Sequence, residues 1–419
     1  MTIERLAQGI ARRFGGLGTS RASFVRIHAW ALAFLVAVSV LVPAHKVESR
    51  VSRRTLGPVQ NVARSYHDQR AYLTSAFPRR GYFHIAWVQG SEGEVFRSEF
   101  RARHLATLVR RVLPKIDGRP VVIDVYYLPG MFLGDEYMSL LDALSTKPDM
   151  VVFSLNPVWV LNPLATHQWT QLETRAAAAL AGRPRDWPVA AAMLSPSDLV
   201  WGLAQSALRP VAERTYWNQR VHDLVDNLGP LRRSKLERAT RARRPSLEDR
   251  ILHDRAYLFW FNRRLHLPAG TEFLLTRENM SAAKWATFMD ASNDGRNQLN
   301  RLLLHAIARA LTTARTPSYV YLSQINSPWL ADPTMGRTMR GIEGQLAGLR
   351  GAFGARSIRF QPRSASRFVP GLRFLPLDTV HMTYTAGFAP YLARELCALE
   401  AQTGTRATCV PTGTGGEPS

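Results

Sequence analysis

The chain has 419 residues, 46% of them hydrophobic, which is the make-up of a globular protein and excludes disorder as its main state. That length accommodates one large domain with an insertion, or two domains. Its 54 basic and 32 acidic residues give a formal charge of +22, carried mostly by arginine, so an anionic neighbour is expected: phospholipid headgroups, an acidic polymer or nucleic acid.

From Ile27 to Ala44 only His28 can carry a charge, and at about 1.5 Å per residue this run approaches the roughly 30 Å of a bilayer's hydrocarbon core. Arg12, Arg13, Arg21 and Arg26 precede it. The positive-inside rule therefore puts residues 1–26 in the cytoplasm, makes 27–44 a transmembrane anchor and sends everything after Lys46 to the outside. Cleavage after a signal peptide at Val42-Pro43-Ala44 is the competing reading, and it leaves the main domain in the same compartment. Nucleic acid thereby drops out as an expected partner. Residues 45–80, with Arg50, Arg53, Arg54 and Arg64, read as a basic juxtamembrane linker beside an anionic leaflet.

An alternating pattern follows. Phe83 to Val88 is a short apolar, β-prone run ending at Gly90-Ser91, and Phe100 to Val112 then shows helical spacing of Leu105, Leu108, Val109 and Val112. A second strand is expected over Pro120 to Tyr127, ending at Pro129-Gly130, with a helix over Glu136 to Leu144. Met150 to Leu155 is a third strand ending at Asn156, Tyr319 to Ser323 a fourth, and Ser357 to Phe360 a fifth after a helix from Thr338 to Leu349. Continuous apolar strands alternating with amphipathic helices predict an α/β fold, a parallel sheet covered on both faces.

The stretch of about 157–310 is too long for one crossover and reads as a mostly helical insertion. It carries a basic run from Leu231 to Arg244, then the aromatic group Tyr257 to Phe261, a combination suited to a membrane surface or an anionic polymer, or to a solvated helix beside a packed one. Cys397 and Cys409, the sole cysteines, either form one disulfide in an oxidising compartment or remain two thiols. Neither has metal-site spacing, and no metal or organic cofactor is expected. Residues 401–419 are expected to be a flexible, Gly- and Thr-rich tail.

Ligands of open parallel sheets bind beyond the carboxyl ends of the strands, where Gly90-Ser91, Gly130 and Asn156 stand. Near the end of the chain, Asp378 and His381 lie three residues apart, a spacing that lets both side chains of one turn approach a serine from elsewhere. A serine hydroxyl needs an imidazole to take its proton, and the imidazole needs a carboxylate to fix its tautomer. Ser91, His381 and Asp378 fit those roles. The Ser91 and Gly130 backbone amides and the Asn156 side-chain amide are candidate oxyanion donors, each worth about 3 kcal/mol in the transition state. With Gln89 two positions before Ser91, the chain lacks the Gly-x-Ser-x-Gly elbow of α/β-hydrolases.

Gly90-Ser91, Gly130, Met150 to Asn156, and Asp378-Thr379-Val380-His381-Met382-Thr383 with Gly387 resemble, in order, the four blocks of the SGNH (GDSL-like) hydrolase superfamily. The resemblance covers about residues 81–160 and 317–397. It implies a flavodoxin-like three-layer fold over 81–400, with Ser91 as nucleophile, Gly130 and Asn156 as oxyanion donors and Asp378 with His381 as the base pair. The chain departs from the pattern at Glu92, where a small or polar residue is usual, and at Pro157, where the family has Asp after the block-three Asn.

Anchor, outward domain and insertion together resemble proteins that work beside membrane-bound O-acyltransferases in polysaccharide O-acetylation and teichoic acid D-alanylation. The expected activity is that of a membrane-anchored serine esterase or acyltransferase outside the cytoplasm, acting on an anionic glycopolymer, polyol polymer or lipid. The alternative, prompted by Glu92 and Pro157, is a catalytically silent scaffold of an envelope assembly.

Overall fold

The computed structural model describes residues 59–61, 81–98, 101–127, 133–160, 184–193, 196–197, 200, 298–374, 379–403 and 409. The expected anchor at 27–44, the basic run at 231–244, Gly130 and Asp378 lie outside the described residues. Among the described residues, no helix is long and apolar enough to cross a membrane.

In chain order the first part runs β1 (Val59–Asn61), β2 (Phe83–Val88), β3 (Glu94–Ser98), β4 (Arg101–His104), α1 (Leu105–Val112), β5 (Lys115–Ile116) and β6 (Arg119–Tyr126). Then come α2 (Leu133–Ser145), β7 (Met150–Leu155), α3 (Pro157–Val160), α4 (Trp187–Met193), α5 (Gln298–Ala314) and β8 (Ser318–Leu322). The last part is α6 (Ser327–Ala331), α7 (Pro333–Gly348), β9 (Ile358–Gln361), β10 (Arg373–Phe374), β11 (Met382–Tyr384) and α8 (Phe388–Thr403).

The main sheet has the order β1-β6-β2-β7-β8-β9, with every neighbouring pair parallel, and β5 added antiparallel to β6. Apart from the outer β1, its strands follow the sequence order 2-1-3-4-5. The chain leaves β2 to one side for β6, then crosses back to place β7 on the other. Strand order thus reverses between β2 and β7, the place where open parallel sheets bind ligands beyond the carboxyl ends of their strands.

The strands β2 and β7 are buried at every position, which is why both read as near-continuous apolar runs, interrupted only by His84 and Ser154. Successive side chains go to opposite faces. Ala86, Val88, Val151 and Phe153 meet α2, α5 and α7 on one side. Ile85, Trp87, Val152 and Tyr321 meet α1 and α8 on the other. Local chemistry fixes helix ends: Asp332 caps α7, its Oδ1 accepting the Thr334 and Met335 N–H groups at 2.9 Å each, with Pro333 in the first turn. Gly387 enters α8 at φ +82°, a left-handed conformation suited to glycine.

The structure departs from the sequence expectations in four places. The expected linker contributes β1, which pairs with β6 through Val59 and Ile123. The helix expected from Phe100 begins only at Leu105, because Arg101–His104 pairs antiparallel with β3 instead. Helix α5, taken in the expected insertion, packs Leu303, Ile307 and Leu311 into the core and leads directly into β8, so it serves as the crossover helix. A second sheet, of order β10-β11-β3-β4, was not legible at all. The two cysteines, left open between bond and thiols, are joined as Cys397–Cys409.

Candidate active site

Ser91 opens a single 3-10 turn, Ser91–Gly93, directly after β2 and Gly90. Its backbone N–H heads that turn, where the first amides have no partner within the helix. His381 immediately precedes β11. Across 290 residues of sequence the two side chains meet, with His381 Nε2 at 2.9 Å from Ser91 Oγ. That is the separation over which an imidazole takes a proton from a hydroxyl.

The small second sheet makes the meeting possible. Strand β3 continues from the Ser91 turn and β11 from His381, and the two pair in parallel with Met382 opposite Val95, both buried. The register of that pairing brings the Ser91 turn and the His381 imidazole side by side. The Phe96 ring stands edge-on to the His381 ring at 5.7 Å between centroids.

Of the other expected site residues, Asn156 follows β7 and is buried. Its Nδ2 donates to Glu92 Oε2 at 3.1 Å. It thus stands at the reversal of strand order, joined to the residue after Ser91. Gly130 and Asp378 lie outside the described residues. Thr379 and Val380 form a bend ahead of His381, so the imidazole enters from a turn.

Residues that the sequence reading did not assign surround the pair. Glu92, wholly buried, accepts the Gly90 N–H at 2.9 Å on Oε1 as well as the Asn156 amide on Oε2. Burial raises its acid above the ordinary carboxyl range, and the hydrogen bonds oppose that rise. Glu136 of α2 is also buried, its Oε1 without a hydrogen-bond partner, and a Cβ on Gly90 would come within 3.3 Å of it. Its acid is pushed far up, first by burial and then by the charges of Glu92 and Asp135.

Glu94 faces the imidazole from β3: burial raises its acid, while the Tyr127 hydroxyl and His381 pull it back. Gln89 Nε2 lies 3.2 Å from His104 Nδ1. Burial lowers the His104 pKa to about 4, so that ring is neutral at physiological pH. The sequence signal for Glu92 was its departure from the pattern of the superfamily that the chain resembles; none marked Glu136 or Glu94.

Among the described residues, no cluster of His, Cys, Asp and Glu has the arrangement to hold a metal ion. The arrangement is suited to nucleophilic acyl chemistry: a partly exposed hydroxyl on the turn after β2, an imidazole within reach of its proton, and the Asn156 side-chain amide after β7. No protein-family model matches the chain, and no curated protein matches it either.

Proposed function

We propose that this chain is an SGNH-type serine esterase or acyltransferase with a flavodoxin-like three-layer domain over 81–400. In this reading residues 27–44 anchor it in the membrane with that domain outside the cytoplasm. Its substrate is an acyl group on an anionic envelope polysaccharide, polyol polymer or lipid. The 2.9 Å contact between Ser91 Oγ and His381 Nε2 carries the reading. The 2-1-3-4-5 strand order supports the fold, since flavodoxin-like sheets share it and place their ligands at the same reversal point. The Cys397–Cys409 bond is in keeping with an oxidising compartment, and the +22 charge with an anionic substrate or headgroup.

Ser91 Oγ attacks the acyl carbonyl carbon as its proton passes to His381 Nε2, and the carbonyl π pair moves onto oxygen. The Ser91 and Gly130 amides and the Asn156 side chain receive that oxyanion. Collapse breaks the bond to the leaving oxygen, which takes the proton from Nε2, and leaves an ester on Ser91. A sugar or polyol hydroxyl, or water, then gives its proton to Nε2 and attacks the ester, regenerating Ser91. Asp378 is assigned to hold Nδ1. A membrane-bound O-acyltransferase would supply the acyl group.

The test uses the full chain in detergent with p-nitrophenyl acetate, beside Ser91→Ala and His381→Ala. Each variant is expected to lose turnover by about 10³-fold or more. A fluorophosphonate probe is expected to label the parent and neither variant. Equal turnover by parent and Ser91→Ala sinks the assignment, and a parent that resists the probe favours the silent scaffold.

A further inference from the structure

The side chain of Gln324, buried two positions beyond β8, touches neither Ser91 nor His381 in any hydrogen bond, yet it holds the backbone beside each. Its Nε2 donates to the Glu92 carbonyl at 2.6 Å and to the Val380 carbonyl at 2.7 Å. Glu92 is the residue after the nucleophile, and Val380 the residue before the base. A primary amide has two N–H groups, and here both are used on these carbonyls. Its Oε1 is buried with no hydrogen-bond partner, so the amide is retained at the expense of an orphaned acceptor.

Neighbouring bonds make the bracket rigid. The Asn326 N–H donates to the Thr379 carbonyl at 2.7 Å, which fixes the residue before Val380. The Ile325 N–H donates to Ser366 Oγ at 2.8 Å, and Ser364 Oγ donates to the Ser323 carbonyl at 3.0 Å. The segment after β8 is therefore tied on both sides of Gln324, and the amide cannot follow one loop without pulling the other.

We infer that Gln324 is a positioning residue that sets the distance between Ser91 Oγ and His381 Nε2 by holding the Glu92 and Val380 carbonyls on one amide. The inference rests on the reading of Ser91 and His381 as nucleophile and base. Proton transfer needs a separation of about 2.6–3.2 Å, and a displacement of an ångström is enough to lower the rate about 100-fold. The β3–β11 pairing brings the two loops together, and Gln324 fixes their last ångström.

The experiment compares Gln324→Leu, Gln324→Glu and, as a control, Leu311→Ala, a core truncation on α5 at the opposite end of the strands. With the full chain and p-nitrophenyl acetate, both Gln324 variants are expected to lose kcat at least tenfold with KM within twofold. The control is expected to lose thermal stability with kcat within twofold. Relative to the parent at the same pH, Gln324→Glu is expected to regain part of its kcat as the pH is lowered, because a protonated carboxyl again offers one donor. An unchanged kcat in both Gln324 variants overturns the inference. Should Gln324→Leu not fold, Gln324→Glu decides; failure of both to fold assigns the amide to the fold and also overturns it.

A second readout separates this from the activity itself. In the parent, the ring NMR signals of His381 report its contact with Ser91, with Ser91→Ala as the reference for a lost contact. If the parent turns over no ester, the acyl-transfer reading fails and the NMR arm still decides. Gln324→Glu signals shifted toward those of Ser91→Ala support the bracket, and unchanged signals overturn it.

Discussion

Asn156 and Glu92 meet beneath the candidate nucleophile, the Asn156 amide donating to Glu92 Oε2 at 3.1 Å, and so join the loops after the two strands where strand order reverses. The same carboxyl receives the Gly90 N–H on its other oxygen. Glu92, a departure from the SGNH pattern that the chain resembles, is thus the tie between the Ser91 turn and the candidate oxyanion amide of Asn156.

Replacing Glu92 by alanine removes the acceptor of both donors, and each buried donor left unpaired costs about 1–3 kcal/mol. Glu92→Ala is expected to lower stability by about 2–4 kcal/mol on that basis, and kcat by about tenfold or more as the Ser91 turn loosens. Glu92→Gln keeps the shape but points an NH₂ at one of the two donors, so its loss should be about half as large. Urea unfolding and p-nitrophenyl acetate turnover measure the two effects. Parent-like values in both variants would rule out the tie.

Gly90 gives an independent way to disturb the same contact. A Cβ there would lie 2.5 Å from Glu92 Oε2, with φ at −85°, so the obstacle is the carboxyl and not the backbone angle. Gly90→Ala should therefore displace Glu92 and mimic Glu92→Ala. The double variant is expected to be less damaged than the sum of the singles, by at least about 0.5 kcal/mol, because both remove one interaction. Strict additivity in unfolding free energy would count against a shared cause.

Much of this was legible from the residues. Phe83–Val88 and Met150–Leu155 are buried on both faces, so single polar residues, His84 and Ser154, do not build an alternation and the bounds could be read directly. The Ser91 assignment rested on its place after a strand, that of His381 on its three-residue spacing from Asp378, and both on the resemblance; the structure brings the two side chains into contact. What escaped was short and made of long-range pairings. Glu94–Ser98 and Met382–Tyr384 are too brief and too mixed to signal strands, and they are joined to each other only at Val95 and Met382, beside their antiparallel neighbours β4 and β10. Gln324 was visible only as a polar residue after a strand; its partners are backbone carbonyls at Glu92 and Val380, which no side-chain pattern encodes.

The Cys397–Cys409 bond closes a span of 12 residues and ties Cys409 against the layer formed by α1 and α8. For a loop of that size the chain-entropy estimate is about 2–3 kcal/mol. Cys409→Ser, or dithiothreitol on the parent, is expected to lower Tm by several degrees, with no further fall when reductant is added to the variant. The bond is remote in sequence from Ser91, so ester turnover at 25 °C should stay within twofold. A parent whose Tm ignores reductant would show that the bond adds nothing to stability.

Glu136 provides the clearest pH signature. Its folded acid lies far above the unfolded value of 4.5, mainly through burial, and its Oε1 has no partner. Between the unfolded and folded values the native state holds the extra proton. Stability from this group is therefore complete below about pH 4.5 and is lost as pH rises toward the folded value, by at most about 1.4 kcal/mol per unit. Glu136→Gln removes the titration while keeping the shape. The variant is expected to match the parent near pH 5 and to exceed it progressively toward pH 8, in Tm or in urea midpoint. His104 acts in the opposite sense, since its folded value of about 4 makes stability fall as pH drops below about 6.5. Because His104 is present in both proteins, it cancels in the difference. A Glu136→Gln advantage that does not change between pH 5 and 8 would mean that Glu136 does not hold its proton in the folded state, and the like-charge relation to Glu92 would fall with it.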